Sequence, residues 1–201
     1  MGRRTKRWLD LAGAATGLVL GAPVFLATAA AIQASMGGPV LFTQERAGEG
    51  GRPFRILKFR TMTDARGPDG ELLPDAERLT RVGKFVRSTS MDELPQLINV
   101  IRGEMSLVGP RPLLLDYLPL YDARQARRHE VKPGITTWNA VNGRNLMTWE
   151  QQFEMDVWYV EHASVTLDLQ ILVRTVGKVL QREGVTQDGR ATRDRFRGST
   201  A

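Results

Sequence analysis

From Leu11 to Ile32 run 22 residues without a charged side chain, and this stretch limits the fold before anything else does. As a straight α-helix it would be about 33 Å long, enough to cross the hydrocarbon of a bilayer. Pro23 sits in its middle, where it removes one backbone donor and crowds the preceding turn. Arg3, Arg4, Lys6 and Arg7 precede the stretch. After it, residues 45–60 carry Arg46, Arg52, Arg55, Lys58 and Arg60 against only Glu45 and Glu49. Basic flanks favour the cytoplasmic side, and here both ends ask for that side. A helix broken at Pro23 that enters and leaves the same leaflet meets the demand, whereas a straight span does not. A cleaved secretory leader, with a small-residue site near Ala27-Thr28-Ala29, and a simple single-pass anchor are the rivals. The basic segment downstream counts against both.

The 201 residues leave room for one domain beside the membrane segment. The chain lacks cysteine, which excludes disulfides and thiolate metal sites and fits a reducing compartment. His129 and His162 are the only histidines, too few for a histidine metal cage, and a Ser-His-Asp triad is not expected. Both read as packing or surface residues. No Walker loop or dinucleotide fingerprint occurs. The net charge of +6 suits anionic membrane lipids and anionic substrates. Nucleic acid is not expected, because the aromatics are not interleaved with basic residues as stacking platforms require.

Along the chain the pattern is α+β: a re-entrant membrane helix hairpin, a small β-hairpin and several amphipathic helices. Val40–Arg46 and Pro53–Arg60 read as strands around a turn at Gly48, Gly50 and Gly51. Residues 64–77, with Gly67, Pro68, Gly70 and Pro74, read as a surface loop. A helix is expected from about Met91, a turn at Gly109–Pro112, a helical stretch near Leu114–Glu130, and a loop from Pro133-Gly134 to Asn145. Helices follow at about Trp149–His162 and Val165–Arg182, the latter with Ser164 as N-cap. Their apolar faces, including Trp149, Phe153, Trp158 and Tyr159, either close the core or rest on a membrane surface. This divides the chain into a basic N-terminus with membrane helix (1–37), a catalytic domain (38–183) and a basic, disordered tail (184–201).

Residues 88–112 carry the most chemistry. Asp92 and Glu93 are adjacent carboxylates where a helix should begin, with Arg87 before them and Arg111 between Pro110 and Pro112 after it. Two readings compete. In one, Ser90 and Glu93 form a capping box, the acids complement the helix dipole, Pro95 is tolerated in the first turn, and Leu94, Leu97, Ile98 and Ile101 face the core. In the other, acid and base side by side handle phosphate and a divalent metal.

Several segments together resemble the bacterial sugar transferases, the monotopic phosphoglycosyl transferases that begin glycan assembly on a polyprenyl carrier. They are Lys58-Phe59-Arg60-Thr61-Met62, Asp92-Glu93-Leu94-Pro95-Gln96-Leu97, Ser106-Leu107-Val108-Gly109-Pro110-Arg111-Pro112 and Pro133-Gly134-Ile135-Thr136. Val141-Asn142-Gly143-Arg144-Asn145 and the stretch from Trp158-Tyr159 to Asp168 continue the match over nearly the whole chain. The length resembles the minimal form, a membrane hairpin plus catalytic domain. The resemblance implies transfer of sugar 1-phosphate from a UDP-sugar to undecaprenyl phosphate with release of UMP, at the cytoplasmic face of the bacterial inner membrane. It implies Asp92 as nucleophile, giving an acyl phosphate, with the helix N-terminus keeping Asp92 ionised and cradling the phosphate oxygens, and Glu93 as ligand of Mg2+. Arg111 is then a phosphate clamp, with Arg87 a second candidate. Arg60, Arg144, Lys58 and Asn142 are candidates for phosphate or nucleotide contact. Lys58 reads equally as a strand-edge charge, and Asp168 equally as an internal ion pair. Glu104 and Asp116 read as structural.

Two departures from the family pattern stand out. Ala22 precedes Pro23 where the family commonly has serine, so a hydroxyl that could satisfy a freed carbonyl in lipid is missing. Thr137-Trp138-Asn139-Ala140 replaces the usual Gly-Trp-Ala-Gln, which changes the hydrogen-bonding groups expected beside the nucleotide. The identity of the sugar and homo-oligomer formation stay open. A basic, membrane-anchored binding protein whose acidic pair is only a cap is the alternative from another class.

Overall fold

The computed structural model describes residues 2–142, 147–181 and 195–198. The uncharged stretch lies within one helix, α1 (Arg3–Met36), with Pro23 inside it. Both of its ends are pinned to the same body. At the start, the Lys6 ammonium donates to Asp168 at 2.6 Å, and the Arg7 guanidinium donates to the carbonyls of Val100 and Ile101 at 2.6 and 2.8 Å. Buried Asp10 accepts from Ser106 Oγ and from the Leu107 amide, both at 2.9 Å. At the far end, Arg60 donates to the carbonyls of Met36 and Gly37, each at 2.7 Å, satisfying orphan groups of the helix C-terminus. Between these anchors Val19, Leu20 and Leu26 are exposed, and the helix is long and apolar enough to cross a membrane. The chain is membrane-associated through α1.

The expected hairpin forms as β1 (Leu41–Ala47) and β2 (Pro53–Phe59), antiparallel, with Phe42 opposite Lys58, Gln44 opposite Ile56 and Arg46 opposite Phe54. The turn needs its glycines, since Gly50 and Gly51 have φ of 65° and 72°, a region that side chains with a Cβ rarely enter. A short helix α2 (Asp75–Arg78) and α3 (Arg81–Ser88) follow the loop. Thr80 caps α3 by accepting from the Gly83 amide at 2.9 Å. α4 (Gln96–Arg102) begins later than the acidic pair. Its buried face is Gln96, Asn99 and Val100, while Ile101 is 38% exposed. Of the expected Leu94/Leu97/Ile98/Ile101 face, Leu94 and Leu97 pack partly buried against the core, whereas Ile101 does not, so the buried stripe is shifted. The reason is Asn99, whose amide accepts from the Leu57 N–H at 3.0 Å and donates to the Arg55 carbonyl at 2.8 Å, standing in for a strand along the edge of β2.

β3 (Ser106–Val108) pairs in parallel with β4 (Gly134–Thr136); the sequence predicts no strand at 106–108 and a loop where β4 lies. Here the motif glycines have a steric purpose. A Cβ on Gly134 would meet the Gly109 nitrogen at 2.0 Å, and one on Gly109 would meet the Lys132 oxygen at 2.3 Å. The expected helix over 114–130 is instead two 3-10 stretches, Leu115–Leu120 and Gln125–Glu130, the first containing Pro119, which cannot donate to a helical ladder. α5 (Trp138–Asn142) occupies part of the region expected to be loop. α6 (Trp149–His162) and α7 (Val165–Gln181) fall where expected, and Ser164 Oγ accepts from the Leu167 amide. Phe153, Val157 and Tyr159 are in the core, while Trp158 is exposed and stacked between Trp138 and His162. Within the tail expected to be disordered, residues 195–198 are placed. Phe196 is buried among Leu113, Tyr117 and Phe153, which corrects that expectation at this point.

Candidate active site

Asp92 and Glu93 lie on a 3-10 turn, Met91–Glu93, ahead of α4. Ser90, before the turn, is in the left-handed region with φ 56° and makes no side-chain cap. Its carbonyl, not its hydroxyl, accepts from the Glu93 amide, at 3.2 Å. The capping box expected from Ser90 and Glu93 does not form, because the Glu93 carboxylate is engaged by the side chains of Lys58 and Arg111. Pro95 precedes α4, which is only 7 residues long. The helix N-terminus is thus not what governs Asp92.

The cations do. Lys58 Nζ lies 2.7 Å from Glu93 Oε1 and 3.7 Å from Asp92 Oδ2. Arg111 donates to the same Glu93 oxygen at 2.8 Å. Burial opposes ionisation of Glu93, but Lys58 and Arg111 outweigh it and hold that carboxyl down at about 2. For Asp92 the balance is reversed. Burial, and then the neighbouring Glu93 charge, push it up to about 6 against Lys58, Arg111 and Arg87. Two adjacent carboxyls thus have separated properties, one a fixed anion and the other poised near neutrality, the pattern of a reacting pair more than of a surface cap.

Each partner is aimed by the fold. Lys58 is delivered by β2, whose edge is locked to α4 by Asn99. The Pro110-Arg111-Pro112 segment has two residues without a backbone donor, so other elements hold its carbonyls. The Gly134 amide donates to Pro110 at 3.0 Å and the Ala47 amide to Leu113 at 3.0 Å. Arg128 donates to the Arg111 carbonyl at 2.8 Å. Arg128 is itself paired with Asp156 at 2.7 Å, both side chains 1% exposed. Asn139, one of the family departures, donates to Asp156 at 3.2 Å and contacts Thr137 Oγ1. It therefore belongs to the buried network that sets Arg111, and does not line the cleft.

Sequence reading missed Arg46. By register it shares the hairpin face of Ile56 and Lys58, and it lines a small polar cleft with Glu93, Gln96 and Arg111. It donates to Gln44 at 2.6 Å, while its Nε is buried without a partner. Burial and the adjacent Arg111 charge lower its pKa. A cation so placed is suited to receive an anion.

Of the other candidates, Arg87 donates to Thr61 Oγ1 at 2.9 Å and acts on Asp92 electrostatically. Arg60 is held at the end of α1. Asn142 donates to the Trp138 carbonyl at 2.8 Å within α5 and is exposed. Asp168 joins Lys6 and the Tyr159 hydroxyl, the latter at 2.6 Å, as an internal ion pair away from the acidic turn. Arg144 lies outside the described residues. Among the described residues no cluster of three or more metal-ligating side chains occurs. Two carboxylates suit a Mg2+ that completes its shell with substrate phosphate oxygens, as this ion usually does.

Comparison with known proteins gives a consistent context. A family profile described as bacterial sugar transferase matches residues 1–182. The chain is 55% identical over 194 residues to the uncharacterized sugar transferase EpsL of Bacillus subtilis (strain 168), covering 96% of each. It is 43% identical over 185 residues to a UDP-glucose:undecaprenyl-phosphate glucose-1-phosphate transferase of Caulobacter vibrioides, covering 87% of this chain and 69% of that one. To the galactosyl transferase CpsE of Streptococcus agalactiae serotype III it is 40% identical, spanning 43% of that longer protein.

Proposed function

Because the chain belongs to the bacterial sugar transferase family and is with it a sugar-1-phosphate transferase, we propose that it moves sugar 1-phosphate from a UDP-sugar to undecaprenyl phosphate through an intermediate on Asp92. The observation that carries this reading is geometric: half-buried Asp92 stands beside Glu93, whose Oε1 is held by Lys58 at 2.7 Å and Arg111 at 2.8 Å, so one acid is committed to cations while its neighbour faces the same Lys58 at 3.7 Å.

In the first half-reaction an Asp92 carboxylate oxygen attacks the sugar-bearing phosphorus. A P–O bond to that oxygen forms, the bond to the bridging oxygen of the diphosphate breaks, and UMP leaves with the electron pair. In the second, a phosphate oxygen of the lipid attacks the same phosphorus and returns Asp92 to its carboxylate. Splitting one difficult exchange into two displacements is the gain of covalent catalysis. Arg111, Lys58 and Arg46 would receive phosphate oxygens of the nucleotide, whose charge competes with Glu93 for the first two. A Mg2+ held by Glu93 and the diphosphate would supply further charge neutralisation. The alternative of a non-catalytic binding protein leaves the separation of the two acids without a purpose.

The topology follows the same reading. α1 runs as one helix through Pro23 where a broken hairpin was expected, but the attachment of both its ends to one body supports a re-entrant course that enters and leaves the same leaflet, with the catalytic domain at the cytoplasmic face where a UDP-sugar is met. Initial rates measured over a grid of UDP-sugar and undecaprenyl phosphate concentrations test the mechanism. Parallel double-reciprocal lines are expected, and lines that intersect would show that both substrates must be bound together.

A further inference from the structure

A second cavity lies between the later half of α1 and α3. It is an open groove of about 590 Å3, within the roughly 300–1,000 Å3 typical of ligand clefts. On the α1 side its wall is the helical stripe Val24, Ala27, Thr28 and Ala31, whose small side chains leave the space between the two helices unfilled. On the α3 side Phe85 is 53% exposed despite its size. The groove ends at Met91, the residue before Asp92, and Thr28 Oγ1 donates to the Met91 sulfur at 3.8 Å. Its lining is almost wholly apolar, with Arg81 its one charged residue.

We infer that this groove seats the first isoprene units of the polyprenyl phosphate acceptor, with the acceptor phosphate at Asp92. The inference rests on the phosphoglycosyl transfer proposed above and adds where the lipid lies. The acceptor is amphiphilic in a way the surface reproduces. Its phosphate has to reach the phosphorus carried on Asp92, and Lys58 and Arg87 stand at that end. Its tail has to leave the reacting centre over apolar surface, and the groove joins the catalytic turn to the exposed apolar flank of α1. A bulk phospholipid would gain the same burial, but its phosphate is a diester, with less charge for the cations beyond Met91 and no free terminal phosphate to bring to Asp92.

Ala27→Trp and Ala31→Trp fill the groove from positions that are exposed along its wall. Leu26→Trp, at a position 69% exposed and outside the lining, is the control. Full-length protein in nanodiscs is assayed for the UMP burst without acceptor, and for turnover with a long polyprenyl phosphate and a short acceptor that has no isoprene unit, methyl phosphate. Both groove variants should raise the KM for the long acceptor roughly tenfold or more, lose the preference for long over short, and keep the burst within about twofold of wild type. Leu26→Trp should match wild type. An unchanged KM and chain-length preference in both groove variants overturns the assignment, leaving the groove to bulk lipid or a neighbouring helix. A burst lost in proportion to turnover overturns it as well, by making the effect structural. A wild type that gives no burst removes the Asp92 intermediate on which the proposed function rests, a different failure.

Discussion

Asp92 links protonation, stability and rate at one residue. Its folded value of about 6 lies above the ordinary 3.8, so the folded chain holds an extra proton between those values. The stabilisation this represents is complete below pH 4 and is lost as pH rises through 6. Asp92→Asn, which cannot ionise, should therefore be more stable than wild type at pH 8 by about 1–3 kcal/mol and equal to it near pH 4, as read by thermal unfolding in detergent. A variant less stable at pH 8 would mean that Asp92 is an ordinary paired acid. The rate of UMP release should rise with pH through about 6 for the same reason. Arg46 is the second residue with a distinct outcome. Arg46→Met keeps much of the packing and should raise the KM for UDP-sugar about 10- to 100-fold, the cost of a lost charge-assisted hydrogen bond, with an unchanged KM arguing against phosphate contact. Asp92, Glu93, Lys58 and Arg111 were legible because residue type and motif order name them. Arg46 was not, since its place depends on a strand register that pairs it with Phe54, and Arg60, from an equally suggestive motif, is engaged with the end of α1 instead.

At the scale of elements, the hairpin, α6 and α7 could be read because alternation, glycine turns and caps are local signals. The turn at Met91–Glu93 could not. Ser-x-x-Glu is a capping signature, yet the Glu93 carboxylate gains more from Lys58 and Arg111 than from a backbone N–H, and Ser90 takes up a left-handed conformation. The β3–β4 pair escaped for a different reason. Each strand has 3 residues, too few for a period to register, and only the close backbone approach of Gly109 to Lys132 and of Gly134 to Gly109 explains why glycine stands at both places. For α1 the composition gave the apolar stretch, whereas Lys6, Arg7, Asp10 and Arg60 reveal that both its ends are fastened to one body. Since the natural chain has no cysteine, Thr5→Cys and Arg52→Cys are unique reporters. An impermeant maleimide should label both from the same side of sealed vesicles, and labelling from opposite sides would exclude a re-entrant α1.

Across the molecule, apolar surface and reactive polar groups meet at the acidic turn. α1 exposes Val19, Leu20 and Leu26, and α7 exposes Leu169, Val173 and Val176 at successive turns, surfaces too extensive for a free-standing soluble protein to leave uncovered. The charged cleft of Arg46, Lys58 and Arg111 lies on one flank of the acidic turn, and the apolar groove beside Phe85 opens on the other. The general architecture was visible in sequence as a membrane segment followed by one α+β domain. The convergence was not, because it depends on Asn99 docking α4 against β2 and on the buried Arg128–Asp156 pair directing Arg111, contacts between residues far apart in the chain. The most direct test is intact-mass and peptide mass spectrometry of the protein quenched in acid after incubation with UDP-sugar and Mg2+ alone. A phosphosugar adduct is expected on the peptide containing Asp92, lost in Asp92→Asn and discharged when undecaprenyl phosphate is added. Full turnover by Asp92→Asn, or an adduct on another residue, would contradict it.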